Sequence, residues 1–268
     1  VDTGKCNYIL LHYYFTLASA AVDEGLVLLP FMFYFYFPLS KCLLTYVALL
    51  YITGQCVKDL VQLPRPMETG WGGKIQRLDR SYDTEYGLPS THTMASCLPL
   101  AVLLKVFSIS NISTNIMDAT TNTASTTNTL FTNMDMMDVM NISICIVYSL
   151  SVACSRLYLG VHSFIDIISG YLLAGSIMIL YNDDWEVYLY ESSNGFILCL
   201  MICLLFILYY PKPRPWSCSY RIVIAVLGFW SGFTLTLLYC HFYDQIPLYV
   251  MQAGSLLISS NSNSNSNS

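Results

Sequence analysis

Three short polar stretches interrupt an otherwise apolar chain, and they carry the residue types that suit chemistry. They are Lys58-Asp59-Leu-Val-Gln-Leu-Pro64-Arg65-Pro66, Tyr86-Gly-Leu-Pro89-Ser90-Thr91-His92, and Ser155-Arg156 followed by His162 and Asp166. Lys58, Arg65 and Arg156 are three cations with few carboxylates near them in the sequence. Because ammonium and guanidinium groups match phosphate oxygens in charge and geometry, the three stretches predict a phosphate site.

Two histidines accompany these cations, and their neighbours indicate separate roles. His162 and Asp166 are spaced i, i+4, so a helix places them on one face. If Asp166 accepts the Nδ1 proton, Nε2 of His162 is left free to attack phosphorus, as in a catalytic triad. His92 is then expected to protonate the departing alkoxide and later to activate water. The three stretches contain no Asp/Glu pair, so the mechanism requires no metal or other cofactor.

Ser90 and Thr91 complete the set of candidate phosphate ligands. Gly87 and Pro89 predict a helix that starts at Ser90, where backbone N–H groups and the positive helix end attract an anion. We expect Ser90 to contact the phosphate directly, with capping of its own helix as the alternative. For Thr91, a phosphate contact through the backbone N–H and simple packing both stay open.

The composition defines the setting in which these residues must be positioned. Of 268 residues, 55% are hydrophobic and only 11% are charged, whereas soluble domains carry about 25% charged residues. This excludes a cytosolic enzyme, a disordered protein and a disulfide-knotted secreted domain. The net charge of −5 and the scattered Lys and Arg residues give no reason to expect nucleic acid. The chain is therefore predicted to be an all-α, polytopic transmembrane bundle.

Apolar runs predict one integral membrane domain over residues 8–259. Its eight spans are expected near 8–22, 25–39, 43–57, 94–109, 142–154, 164–181, 195–210 and 222–240, and residues 246–259 are a candidate ninth. Counting these spans puts all three polar stretches on the same side of the membrane. Residues 110–141 form a low-complexity Asn/Thr loop, and residues 260–268 form a disordered tail. Because the chain begins with Val1, we expect the natural N-terminus to be missing.

The polar stretches also match a known family. Lys58-x6-Arg65-Pro66, Pro89-Ser90-x-His92 and Ser155-Arg156-x5-His162-x3-Asp166 resemble the three signature motifs of the type 2 phosphatidic acid phosphatase superfamily. The resemblance implies a six-helix catalytic core in which the second histidine is the phosphohistidine nucleophile and the first is the acid. These roles fall on His162 and His92, and phosphate binding falls on Lys58, Arg65 and Arg156.

A finer resemblance is to sphingosine-1-phosphate phosphatases. Thr91 stands where most lipid phosphate phosphatases have Gly, and the stretch from Ser155 to Asp166 is similar to the third motif of this branch. The resemblance implies hydrolysis of sphingosine-1-phosphate and dihydrosphingosine-1-phosphate entering from the bilayer. It also implies an endoplasmic-reticulum membrane with a lumenal site. The Lys and Arg residues, nine on the site's side against three opposite, favour a cytosolic site instead.

Several alternatives stay open at this point. Three other functions are compatible with these residues. The first is a broad lipid phosphate phosphatase acting on phosphatidic or lysophosphatidic acid, the second is a phosphotransferase that returns the head group to another lipid, and the third is an inactive membrane scaffold. Asp23 and Glu24 either touch a substrate ammonium or lie in a solvated loop. Asp79, Asp83 and Glu85 are interpreted as a solvated loop because they lack the ligand rhythm of a calcium site. Membrane lipids are the expected partners, and no protein partner is predicted.

Overall fold

The computed structural model describes residues 10–22, 37–66, 85–107, 136–181, 183–192, 194–211 and 218–243, and every regular element in these ranges is a helix. The helices are α1 (Leu10–Val22), α2 (Phe37–Val61), α3 (Thr91–Ser96), α4 (98–107), α5 (Met136–Tyr158), α6 (Phe164–Leu180), α7 (Asp183–Glu191), α8 (Gly195–Tyr209) and α9 (Ser219–Tyr243). The predicted all-α class is confirmed.

Most helix bounds lie near the predicted spans, and three regions differ. Helix α5 begins at Met136, so the last six residues of the predicted Asn/Thr loop are helical; their Met and Val residues continue the apolar face of the helix. Helix α2 begins at Phe37, so it includes the last three residues of the predicted second span. Pro38 is tolerated in its first turn because the backbone N–H groups there have no partner within the helix. Helix α7 covers Asp183–Glu191, which lies between the sixth and seventh predicted spans where no helix was predicted. Acidic side chains suit a first helical turn. The rest of the second span, most of the Asn/Thr loop, the ninth span, the tail, Asp23 and Glu24 lie outside the described residues.

Helix α2 is the central element, because two separate hydrophobic cores form on its opposite faces. On one face, Cys42, Tyr46 and Leu50 pack with residues of α1, α3, α5 and α6. On the other face, Leu44 and Ile52 pack with residues of α7, α8 and α9. The helix thus separates a half that carries the three polar stretches from a C-terminal half that carries none of them.

Large apolar side chains cover the outside of several helices. Ile144 and Val147 on α5, Leu172 on α6, and Leu204 and Leu208 on α8 are all exposed. Such surfaces are costly in water but find an equivalent environment in lipid tails. Within the described ranges, α5 and α9 are long and apolar enough to cross a membrane, and α6 with α7 makes a third candidate, bent by 72°. The chain is therefore an integral membrane protein.

Two glycines allow the start of α3 to pack closely against α2 and α6. A Cβ at Gly54 of α2 would lie 3.0 Å from both Sδ of Met94 and Cγ2 of Thr91. A Cβ at Gly170 of α6 would lie 2.9 Å from the carbonyl oxygen of Ser90. These close approaches hold the second polar stretch between the other two.

Candidate active site

The first turn of α3 is organised by Ser90, which is fully buried. Its Oγ is the N-cap acceptor for the backbone N–H of Thr93 at 3.4 Å and also accepts from Oγ1 of Thr93 at 2.9 Å. Its own backbone N–H donates to the carbonyl of Asp166 at 3.0 Å. This geometry favours the capping interpretation over a direct phosphate contact by the hydroxyl, because both bonds use Oγ.

Gly87 joins the three polar stretches at one point. Its backbone N–H donates to the carbonyl of Leu63 at 2.9 Å. A Cβ there would lie 3.3 Å from Oδ2 of Asp166 and 3.6 Å from Cα of Arg65. A side chain at this position would therefore separate Arg65 from Asp166.

The third stretch reverses direction at Gly160, which lies in the left-handed region with φ 69°. Its N–H donates to the carbonyl of Leu157 at 3.0 Å, and the N–H of Val161 donates to the carbonyl of Arg156 at 3.2 Å. This pair of bonds is the Schellman pattern that ends a helix. The turn brings His162 back beside Arg156, and both side chains are buried.

Asp166 contacts both the histidine and the start of its own helix. Nδ1 of His162 lies 3.6 Å from Oδ2 of Asp166, just beyond hydrogen-bond length. The same Oδ2 accepts the backbone N–H of Ser163 at 2.7 Å, while Oγ of Ser163 accepts the N–H of Asp166 at 3.3 Å. The Ser-x-x-Asp spacing is a capping-box signature, and it was the overlooked signal for this second role of the carboxylate.

Burial and charge together favour a neutral His162. Burial lowers the pKa of its imidazole well below the ordinary value, although Asp166 opposes the shift. The nearby cations Arg65, Arg156 and Lys58 lower this pKa further. A neutral imidazole keeps a lone pair, which is what a nucleophile at phosphorus needs.

The cation cluster contains a carboxylate that the sequence interpretation missed. Nζ of Lys58 donates to Oε2 of Glu85 at 2.9 Å and to Oγ1 of Thr91 at 3.3 Å. Nε of Arg65 donates to the backbone carbonyl of Glu85 at 2.9 Å, and its Nη2 lies 3.8 Å from Oε2. The expectation that Glu85 lies in a solvated loop is therefore wrong: its side chain is only 10% exposed.

The electrostatics of Glu85 follow from these contacts. Burial alone would raise the pKa of its carboxyl, but Lys58, Arg65 and His92 together hold that pKa below its ordinary value. Three buried cations required a nearby anion, since an uncompensated buried charge is strongly destabilising. That requirement was the signal for Glu85, which is the acidic residue nearest in sequence to the second stretch.

The remaining predicted residues complete the same cluster. Nη1 of Arg65 donates to the carbonyl of Val161 at 2.7 Å, next to His162. Arg156 is fully buried and donates through Nη1 to Oγ of Ser19, so α1 also contributes to the site. His92 is buried in the first turn of α3. The eight predicted residues therefore share one buried cluster at the C-terminal end of α2.

The opposite face of α2 carries a different polar pair and an apolar cavity. The hydroxyl of Tyr210 donates to Oδ2 of Asp59 at 2.6 Å and contacts the carbonyl of Gln55 at 3.3 Å. A cavity of about 530 Å³ lies further along this face, lined by Thr45, Ala48 and Ile52 of α2 and by Trp185, Leu198 and Trp230. Helical periodicity turns these α2 residues away from Gly54 and Lys58, so α2 separates the cavity from the polar cluster.

Comparisons with known proteins agree with the motifs. The PAP2 superfamily model matches residues 39–186. Sphingosine-1-phosphate phosphatase 2 of Homo sapiens is 26% identical over 248 residues, which cover 90% of this chain and 55% of that protein. The dihydrosphingosine 1-phosphate phosphatase of Schizosaccharomyces pombe is 28% identical over 225 residues, covering 77% of this chain and 47% of that protein.

A plant protein is similar at the same level. Lipid phosphate phosphatase delta of Arabidopsis thaliana is 25% identical over 240 residues, which cover 85% of this chain and 52% of that protein. The chain spans about half the length of the curated relatives it matches. No solved structure is significantly similar to it.

Proposed function

The chain belongs to the PAP2 superfamily, and from that premise we propose that it hydrolyses sphingoid-base 1-phosphates to the free base and inorganic phosphate. The observation that carries this proposal is the convergence of three separate stretches on one buried cluster. Lys58 reaches Thr91 at 3.3 Å, and Arg65 reaches the carbonyl beside His162 at 2.7 Å. The names of the relatives support the substrate class, since two of those described act on sphingosine or dihydrosphingosine 1-phosphate.

The first chemical step transfers the phosphoryl group to the enzyme. Nε2 of His162 attacks phosphorus, the bond from phosphorus to the substrate's ester oxygen breaks, and His92 donates a proton to the leaving alkoxide. Lys58, Arg65 and Arg156 bind the phosphoryl oxygens and stabilise the charge that they carry in the transition state. Asp166, close to Nδ1 of His162, stabilises the positive charge that forms on the imidazole.

The second step releases phosphate. His92, now without its proton, accepts a proton from water, and the water oxygen attacks the phosphorus of phospho-His162. The bond from phosphorus to Nε2 breaks, so the enzyme returns to its starting state and inorganic phosphate leaves. The free sphingoid base returns to the bilayer, from which the substrate entered. We place the protein in the endoplasmic-reticulum membrane with this site facing the lumen, as the motif resemblance implies.

A broad-specificity lipid phosphate phosphatase is the second candidate. The relative from Arabidopsis thaliana favours it, since the printed name of that protein specifies lipid phosphate without a sphingoid base. The chemistry of the two candidates is identical, and they differ only in which lipid head group the site accepts.

The test is release of labelled phosphate from sphingosine-1-phosphate by membranes that contain the protein. His162→Ala is expected to reduce release to background and to abolish trapping of labelled phosphoenzyme, because it removes the nucleophile. His92→Ala is expected to reduce release by about 10²- to 10⁴-fold, the usual contribution of general acid–base catalysis.

The matched control is His12→Ala. His12 lies on α1 with its ring 6.1 Å from that of Tyr158, outside the polar cluster, so release should stay near the wild-type rate. Undiminished release by His162→Ala, with the protein present in the membrane, contradicts the assigned nucleophile.

A further inference from the structure

Glu85 has a contact pattern that the proposed chemistry does not use. Its Oε2 accepts Nζ of Lys58 at 2.9 Å and lies 3.8 Å from Nη2 of Arg65. Its other carboxylate oxygen, Oε1, accepts no hydrogen bond in the part of the chain that the structure describes. The side chain stays 10% exposed, while Lys58 is 1% exposed, so a ligand that enters the cluster reaches Glu85 as well as the cations.

The charge of the cluster shows why this carboxylate matters for substrate choice. Among the described residues, Lys58, Arg65 and Arg156 supply three positive charges, and Glu85 and Asp166 supply two negative ones. A phosphate monoester adds about −2 at neutral pH. Glu85 lies beside two of the cations proposed to bind the phosphate, at 2.9 Å from Nζ of Lys58 and 3.8 Å from Nη2 of Arg65, so its carboxylate repels the phosphate at close range. A further cation that accompanies the phosphate offsets this repulsion.

A sphingoid-base 1-phosphate brings that cation with it. Its ammonium is on the carbon next to the one that bears the phosphate ester, so the two groups enter the cluster together. Phosphatidic and lysophosphatidic acids carry the same phosphate on a glycerol backbone without an amine. The carboxylate of Glu85 thus matches the zwitterionic head group better than the purely anionic one.

Of the two carboxylates, Glu85 is the one that lies beside the cations proposed to take the phosphate, with Oε2 2.9 Å from Nζ of Lys58. Oδ2 of Asp166 already accepts the N–H of Ser163 at 2.7 Å and lies beside Nδ1 of His162. We propose that Glu85 is the specificity-determining residue of this site, and that its carboxylate receives the substrate ammonium while Lys58 and Arg65 take the phosphate. This inference rests on the proposed phosphatase function.

The test compares two single-chain lipids, sphingosine-1-phosphate and lysophosphatidic acid, as substrates of the full chain in detergent–lipid micelles. Glu85→Gln keeps the size and polarity of the side chain and removes its charge. The ratio of kcat/KM for sphingosine-1-phosphate to that for lysophosphatidic acid should fall by about tenfold to a hundredfold, the range of one charge-assisted hydrogen bond. Glu85→Asp keeps the charge, so it should retain the wild-type ratio even where both rates fall.

Glu191→Gln is the matched control. Glu191 forms an exposed salt bridge with Lys41 at 3.1 Å, on the other end of α2, so the same substitution there should leave both rates and their ratio unchanged. If Glu85→Gln instead lowers both rates by the same factor, Glu85 only holds the cations in place and the proposal is overturned.

Binding provides the measurement that is independent of turnover. The dissociation constants of the two lipids are compared in the His162→Ala background, with and without Glu85→Gln. The added substitution should weaken sphingosine-1-phosphate relative to lysophosphatidic acid, and equal effects on both overturn the proposal. A wild-type protein that hydrolyses neither lipid contradicts the proposed function, whereas this comparison still decides the role of Glu85.

Discussion

Two neighbouring residues of α2 point into opposite halves of the molecule. Lys58 and Asp59 are each 1% exposed. Lys58 joins Glu85 and Thr91 in the cluster that holds both histidines. Asp59 accepts the hydroxyl of Tyr210, which follows α8. One face of the helix thus concentrates charge around the proposed reaction, whereas on the other face the Asp59 side chain contacts Tyr210 of the C-terminal half.

The difference teaches that burial of a charged residue is not by itself a sign of catalysis. On the Lys58 face, the buried charged groups lie at the proposed phosphate site. On the Asp59 face, the rest of α2 on the N-terminal side of the Asp59–Tyr210 bond packs in an apolar core and lines the 530 Å³ cavity. The two faces should therefore respond differently to substitutions of the same kind.

The largest effect is expected from a comparison of Lys58→Met with Asp59→Asn. Lys58→Met removes a cation from the phosphate cluster and should lower kcat/KM by about 10²-fold or more. Asp59→Asn weakens the bond to Tyr210 and should lower the free energy of unfolding by about 1–3 kcal/mol, with kcat/KM within about threefold of wild type. Hydrolysis assays and thermal unfolding in the same micelles measure both quantities.

Tyr210→Phe is the control for this comparison, because it removes the same bond from the other side and should reproduce the effect of Asp59→Asn. If Asp59→Asn abolishes hydrolysis while the protein remains folded, the two faces are not functionally separate.

The sequence predicts the Lys58 face of α2 better than the Asp59 face. The motif spacing predicted the cluster at the end of α2, because the order of the apolar runs puts all three stretches on one side of the membrane. Long apolar helices such as α5 and α6 were also predictable, since their hydropathy is continuous. Helix α7 was not, because nine residues with three acidic groups among Asp183–Glu186 lack an apolar run.

The partners of the buried charged residues could not be predicted, because they are far away in the sequence and local patterns do not identify them. Glu85 is 27 residues from Lys58, and Tyr210 is 151 residues from Asp59. Only the general need of a buried charge for a counterion pointed to such partners, and that need does not say which residue supplies it. The close packing at Gly54 was likewise invisible, because it depends on where α3 crosses α2.

An intermediate effect is expected from a change of pH. The stability of the protein should depend on pH through His162, which lies on the Lys58 side of α2. The pKa of His162 is well below its ordinary value of about 6.5. Below about pH 6.5 the His162 imidazole therefore binds a proton in the unfolded chain but not in the folded protein. The free energy of unfolding is thus highest above this pH and decreases as the pH drops below it. Each unit between the two pKa values is worth about 1.4 kcal/mol.

The measurement is the thermal midpoint in micelles at pH 7.5 and pH 5.5. His162→Gln should lose less stability than wild type over this interval, because it removes the titrating group. Glu85 contributes little to the change, since its pKa is lowered from a value already below this window. Tyr210→Phe, on the other face, should keep the wild-type pH dependence. An equal loss in His162→Gln and wild type contradicts the assignment of this proton to His162.

The smallest effects are expected from added bulk on each face. A Cβ at Gly54 lies 3.0 Å from Cγ2 of Thr91, so Gly54→Ala should displace the start of α3 by a few tenths of an ångström and lower kcat/KM by about tenfold at most. Ala48→Leu extends into the cavity and should leave kcat/KM unchanged while raising the free energy of unfolding by about 0.5–2 kcal/mol. The same two assays measure both variants. A loss of activity in Ala48→Leu as large as in Gly54→Ala would mean that the cavity takes part in lipid binding, and that α2 does not separate the two faces.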